Sequence, residues 1–407
     1  MKGKIILLLT VLIVLGGFSK VYAAENVKED VITLEQAVEL AEENSRNLTK
    51  YEISKQKAKY QLYEKEDQYD ETGYESVALL NRYNNLSEEY STLQEQLNEG
   101  DTSVVSRMNE IEEEMDMIWE DIDTQSEALE SLSDDVRDAE NNYDDAVVAE
   151  ENYQKQLEFI VEELYTTILI EEEYLLTLNK EYELKLNLLN KEKAKLQLGR
   201  STQLNVDQLS MDVTELNKEI IELNSLIRNL KGELNDMMGR EYNDELSLAP
   251  FEIQENVEIP EYDALLSKAV REYDTIAVIK RDIENKEDDL DSVDDDGYQE
   301  ELLELEIKEE ELELENEKYK LKEAINNLIT EVKSKQEEYQ SALINYKNAQ
   351  KKYDWDKKRF ELGQISKLDL IQSELDCLSA KDKNVSAGYS FYLAYRSLKL
   401  AEAGIID

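Results

Sequence analysis

The chain has 407 residues, a formal net charge of −49, no histidine, one cysteine, 12 glycines and two prolines. The negative charge excludes nucleic acid as a partner and disfavours an anionic membrane surface. The missing histidine removes the commonest general acid/base and metal ligand, so no catalytic, cofactor or metal site is expected. With charged residues at 35% and so few turn formers, the composition suits long helices and coiled coils.

In chain order, Lys2 and Lys4 precede an apolar run from Ile5 to Leu15 broken only by Thr10. Gly16, Gly17 and the small-residue site Val21-Tyr22-Ala23 follow, which predicts a Sec-type signal peptide over 1–23 and export. The apolar run is short for a membrane span. Thr33 predicts the first helix N-cap, with Gln36 as capping-box partner. From there breakers are few. Asn98–Asp101 reads as a turn, Gly199 interrupts a long helix, Asp294–Gly297 is an acidic turn, and Gly363 interrupts a second long helix. Gly73 and Gly232 fall inside helical patterns as weaker breaks. The spacing predicts a first helical repeat over 24–238, a linker over 239–260 that holds both prolines, and a second helical repeat over 261–407.

The helices carry heptads. From Met108 the a and d positions read Met108, Ile111, Met115, Ile118, Ile122, Gln125, Leu129, Leu132, Val136, Ala139, Tyr143 and Ala146, with Gln125 alone polar. Such a seam is a buried coiled-coil core. A longer-range repeat overlies it. Val161, Ile168, Leu175, Tyr182, Leu189 and Leu196 form a row leading to Gly199. Ile325, Val332, Tyr339, Tyr346, Tyr353 and Phe360 form another leading to Gly363, offset by 164 residues throughout. The starts match as well: Leu34, Ala41 and Leu48 align with Tyr262, Ala269 and Ile276 at an offset of 228. The first half therefore carries 31 extra residues on one arm and 33 on the other. A nearly equal insertion on both arms lengthens one antiparallel hairpin, by about 48 Å at 1.5 Å per residue.

The segments Leu198-Gly199-Arg-Ser-Thr-Gln-Leu204-Asn205-Val206 and Leu362-Gly363-Gln-Ile-Ser-Lys-Leu368-Asp369-Leu370 resemble the tip motifs of the TolC-like outer-membrane efflux protein family. The opening Ile32–Asn44 and the Leu230–Gly239 pattern are similar to that family too. The resemblance covers essentially the whole mature chain. It implies an all-α protomer of two tandem long helical-hairpin repeats, packed as an antiparallel coiled-coil bundle. It also implies a homotrimeric α-helical barrel that couples through a periplasmic adaptor of the membrane-fusion type to a membrane pump for efflux. Carried over by motif, Gly199, Ser201, Leu204, Gly363, Ser366, Leu368 and Asp369 would meet the adaptor. Turn chemistry alone also accounts for these residues. Glycine permits the tight reversal, and Ser201 and Ser366 are placed to cap the returning helices.

The family keeps membrane β-strands between the arms of each hairpin. Here Glu95–Ser103 and Asp291–Tyr298 show no run of about ten alternating apolar and polar residues. The expected form is thus a TolC-like protomer without a clear β-barrel, and an outer-membrane location follows from the resemblance alone. The segment ending at Gly297 fails as a calcium loop, because Leu303 stands where the bidentate Glu belongs. Cys377, between Leu375 and Leu378 and with no histidine to activate it, reads as a packing residue. The alternative function is an extracytoplasmic structural coiled coil of the cell surface, a spacer or a regulator of wall enzymes.

Overall fold

The computed structural model describes residues 31–292 and 297–406; the predicted signal peptide lies outside them, as do residues 294–296 of the acidic turn. The described chain runs β1 (Val31–Ile32), α1 (Leu34–Asn44), α2 (Arg46–Asn98), α3 (Val105–Gln197), α4 (Gln203–Met237), β2 (Ser247–Leu248), α5 (Tyr262–Glu272), α6 (Asp274–Ser292), α7 (Gly297–Glu361) and α8 (Lys367–Glu402). The helices form one layer, with α3 beside α2 and α4 on one side and beside α8 on the other. α7 packs on α6 and α8 at the far edge. The order is therefore α2–α3–α6–α7 towards one end, where Arg281 of α6 chelates Asp145 of α3 at 2.8 and 2.9 Å, and α4–α3–α8–α7 towards the other. At 93 residues, α3 is about 140 Å long.

The predicted capping box is present: Thr33 Oγ1 accepts from Gln36 N, and Gln36 Oε1 accepts from Thr33 N at 3.0 Å. Met108, Ile111, Ile118 and Ala139 of the heptad seam are buried, and Gly73 and Gly232 lie within unbroken helices. A Cβ at Gly232 would stand 2.4 Å from the ring of Tyr242, so glycine is kept there for close packing.

Two breaks differ from the sequence reading, which runs the first helix unbroken from Thr33 to the turn near Gly100. Ser45 (ψ 112) and Tyr273 (ψ 110) leave the helical region and cut off 11-residue helices α1 and α5. Ser45 Oγ accepts from Leu48 N at 3.1 Å, capping α2. The bends lay α1 and α5 across the layer, where Ala37, Ala41, Leu265 and Ala269 are almost wholly buried.

These breaks keep the 228-residue offset, and the other end of each repeat repeats a contact. Gly239, after α4, is packed on the side chain of Asn44, the last residue of α1. Gly404, after α8, is packed on the carbonyl of Glu272, the last residue of α5. Both glycines have positive φ, 73° and 80°. Thus each repeat closes its C-terminus on its own first helix.

The core is deepest at the waist. Val161, Tyr165 and Ile168 of α3 are fully buried, among Ile32, Leu34, Leu234, Met238 and Leu248. Strands β1 and β2 pair in parallel, Val31 with Ser247 and Ile32 with Leu248. The Tyr165 hydroxyl lies 2.8 Å from the carbonyl oxygens of both Ile32 and Ala249 and shares its proton between them. Burial pushes this phenol up to about 12. A second core, Leu265, Ile276, Ile325, Val332, Phe391 and Leu398, occupies the equivalent place in the second half.

Among the described residues the only strands are these two-residue pieces. Between α2 and α3 there is only a turn at Gly100 (φ 103°) and a 3-10 turn at Thr102–Val104. Four residues separate α6 from α7. Neither connection has room for the 9–11-residue strands that cross a bilayer.

Two glycine substitutions test this account. Gly404→Ala places a Cβ 2.0 Å from the Glu272 carbonyl at positive φ and is expected to cost about 1–3 kcal/mol. Gly73→Ala, with nothing nearer than Leu129 Cδ2 at 4.0 Å, is expected to stabilise by about 0.5–1 kcal/mol. Thermal unfolding followed by circular dichroism separates the two by sign.

Candidate functional site

The two helix reversals, α3 to α4 and α7 to α8, lie at the same end of the layer and are built alike. At the first, Arg200 N donates to Lys195 O at 2.8 Å and Gly199 N to Leu196 O at 2.9 Å. At the second, Gln364 N donates to Arg359 O at 2.8 Å and Gly363 N to Phe360 O at 2.9 Å. Both are Schellman closures, which need a left-handed residue at the position after the cap. Gly199 and Gly363 supply it, each at φ 69°. A Cβ at either would meet nothing within 4 Å, so the backbone angle alone requires glycine there.

The returning helices are capped by Thr202 and Ser366. Thr202 Oγ1 accepts from Asn205 N at 3.3 Å. Ser366 Oγ accepts from Asp369 N at 3.3 Å, and Asp369 Oδ2 accepts from Ser366 N at 2.9 Å and from its hydroxyl at 2.8 Å. Ser201 is therefore not the cap that the sequence reading makes it. The 164-residue offset sets Thr202, not Ser201, opposite Ser366, and Ser201 instead donates back to Glu192 on α3. Lys195 first and then Ser201 hold the Glu192 carboxyl below the usual carboxylate range. The Ser366 hydroxyl and backbone do the same for Asp369, helped by Lys191 of α3 and Arg359 of α7. That reach across helices sets the two tips side by side. Above them α3 and α8 are stapled by Lys180–Glu374 and Lys381–Glu173, both at 2.7 Å.

What the tips present to solvent is apolar. Leu204 is 75% exposed, Leu198 70% and Leu362 73%, whereas Leu368 is half-buried. Of the sequence-predicted set, Gly199, Gly363, Ser366 and Asp369 build the turns, Leu204 faces outward, and Ser201 and Leu368 pack back. Leu198 and Leu362 were missing from that set. Their signal is a leucine directly before the turn glycine, where a solvated reversal has no need of an apolar side chain.

Elsewhere, no helix among the described residues is long and apolar enough to cross a membrane. No group of three or more metal-ligating side chains is gathered among them either. Cys377 is half-buried, and burial, then Asp354 and Glu374, push its thiol up, away from a nucleophile's range.

Comparison with protein-family models and with curated proteins finds no match. Solved structures do match. The structure of CusC, a protein that forms a transmembrane channel, is 11% identical over 67% of this chain and 74% of that one, with a TM-score of 0.50. The chain has a TolC-like fold. The Campylobacter jejuni CmeC outer-membrane channel matches at 14% identity over 68% of each chain, TM-score 0.48. The Vibrio cholerae outer-membrane protein VceC matches at 13% over 65% of this chain and 76% of that one, TM-score 0.43. At such identities the TolC-like likeness is one of architecture.

The cap assignment is open to direct measurement. Thr202→Ala and Ser366→Ala are each expected to cost about 1 kcal/mol and to speed hydrogen exchange at the amides of Asn205 and Asp369. Ser201→Ala should leave the Asn205 amide unchanged.

Proposed function

We propose that this chain is the tube-forming component of an export system of the cell envelope, three copies closing side by side into a hollow TolC-like helical barrel. In this reading the tips dock an adaptor coupled to a membrane pump. The observation that carries it is a pair of unpartnered layer edges. α7 bears a heptad row of exposed apolar residues, Tyr298, Leu302, Leu305, Leu312 and Tyr319, and further exposed apolars at Ile344 and Trp355. The opposite edge answers with Ile53, Tyr60 and Tyr63 on α2 and with Leu204, Met211 and Ile221 on α4. Apolar rows on both edges of one layer are wasted on a lone chain, but they pair head to tail in a closed ring.

Charge supports the same pairing towards the tips. Residues 333–359 of α7 carry eight Lys and Arg against four Asp and Glu, while α4 carries seven Asp and Glu against three Lys and Arg. The adaptor contact comprises Gly199, Ser201, Leu204, Gly363, Ser366, Leu368 and Asp369, together with Leu198 and Leu362. The boundaries 24–238 and 261–407 are the proposed extents of the repeats in this assembly, with 239–260 as linker.

The protein is expected to sediment with the mass of a trimer. Ile344→Asp combined with Trp355→Asp should give a monomer of unchanged helicity. A wild-type chain that is monomeric at every concentration tested would sink the tube and leave the spacer reading. For the tips, Leu198→Ser with Leu362→Ser keeps both turn glycines and should abolish co-purification of the adaptor. Unchanged capture would remove the tip assignment while leaving the ring intact.

A further inference from the structure

The two halves part company at the end opposite the tips. Asp289, near the end of α6, meets Arg137 of α3 at 3.4 Å. At the same level Lys65 of α2 pairs with Asp135 at 2.5 Å. Beyond it, residues 66–134 of α2 and α3 continue as a two-stranded coil with its own core of Leu86, Ile111 and Ile118, flanked by Leu79, Tyr83, Tyr90 and Met115. This stretch holds 21 Asp and Glu against two Arg. Both arginines are spent inside the coil, Arg82 on Glu114 and Arg107 on Glu89.

Solubility would be served by a uniformly charged surface, yet one flank is apolar. Val77 is 58% exposed, Trp119 57% and Leu80 47%. Counted from the buried heptad row, Val77 and Leu80 of α2 and Trp119 of α3 fall on the same side of the coil. Trp119 leans on Tyr83 at 5.4 Å between ring centroids. Exposed carboxylates at Asp70, Asp116 and Asp123 border that side. Aromatic residues ringed by charge are the composition of an interface.

A second copy of this chain does not fit the flank. It would bring the same excess of carboxylates to the same level, and its second hairpin stops at the level of Asp289. Anionic lipid and nucleic acid are repelled by the same charge. We propose that the flank formed by Val77, Leu80 and Trp119 docks a basic amphipathic helix of a partner protein, as the third strand of a coiled coil. Apolar residues spaced i, i+3 or i+4, i+7 on that helix would cover the aromatic flank, and lysines or arginines beside them would meet the bordering carboxylates. The inference stands on α2 and α3 of a single chain and does not require the ring.

The test uses the full chain carrying Trp355→Phe, which leaves Trp119 as the sole tryptophan. The probe is a synthetic helical peptide of three heptads with leucine at a and d and lysine elsewhere. A control peptide carries glutamate in place of lysine. The lysine peptide is expected to bind with a blue shift of Trp119 emission, and the glutamate peptide not to bind. Val77→Asp with Leu80→Asp, both exposed, should weaken binding by about tenfold or more at unchanged helicity. The proposal is overturned if the lysine peptide fails to bind, if it binds without moving the Trp119 emission, or if the double variant binds as well as the parent. Trimer mass from sedimentation is read separately, so failure of this inference and failure of the tube reading are distinguishable.

Discussion

The whole layer hangs on the waist of α3. A helix of 93 residues gains little from its own backbone and needs tertiary burial along one stripe. In the projecting coil only α2 covers that stripe, and nearer the tips α4 and α8 flank it. Between Leu157 and Leu169 its burial is densest, with Leu157, Val161, Tyr165, Ile168 and Leu169 all buried. There the Tyr165 hydroxyl donates to the carbonyls of Ile32 and Ala249; the Ile32 carbonyl also accepts from Ala249 N at 3.0 Å, so losing the phenol strips the Ala249 carbonyl of its donor, at about 1–3 kcal/mol. One turn earlier, Glu162, only 8% exposed at its side chain, accepts from Arg396 of α8 at 2.7 Å. Burial and that carboxylate together push the neighbouring Tyr392 phenol up. A pair this buried adds little net stability but is costly to break on one side. It therefore fixes which face of α8 meets α3, and with it the register between the two repeats.

Away from the waist, charge does the positioning. With so few cations in the chain, their placement is informative. Lys180, Lys381, Arg281 and Arg137 all bridge α3 to a helix of the second repeat, and Lys65 and Lys55 bridge it to α2. Each such bridge is worth at most about 1 kcal/mol at a solvated surface. Their effect is cumulative and negative in sense: any other register would set carboxylate against carboxylate along the whole seam. The outer surface, left acidic, keeps long exposed coils from pairing at random.

The sequence is legible where the physics is local. Gly199 and Gly363 mark the reversals because only glycine takes the left-handed angle cheaply. The heptads mark the seams, and the constant offset marks the duplication. Legibility stops where a choice is tertiary. Asn44-Ser45-Arg46 contains no strong breaker; the chain bends there because α1 buries Ala37 and Ala41 on α3, which no local propensity encodes. Ser201 and Thr202 are equally good capping residues, and the register of the repeat decides for Thr202. Tyr165 and Glu162 sit in ordinary heptad surroundings, and nothing nearby in sequence announces that strand carbonyls and Arg396 converge on them. The exposed leucines at the tips fall between these cases: they are visible as an anomaly but silent about what covers them.

One repeat can be lengthened without disturbing the rest. An antiparallel seam stays in register only when both arms grow together, as the nearly equal insertions in α2 and α3 do. The base of the added coil is its weakest part. Half-buried positions of α2 are Lys65, Thr72 and Ser76 there, Gly73 has only Leu129 within reach of an added Cβ, and Gln125 of α3 keeps a buried amide oxygen without a partner. Further out the seam recovers with Leu86, Ile111 and Ile118. A polar stretch between two apolar cores has few buried apolar contacts and so opens locally at lower cost than either core. The tips and the opposite end can then be specialised separately: the tips are held alike in both repeats by glycine geometry, while the projecting coil, belonging to one repeat alone, is free of that constraint.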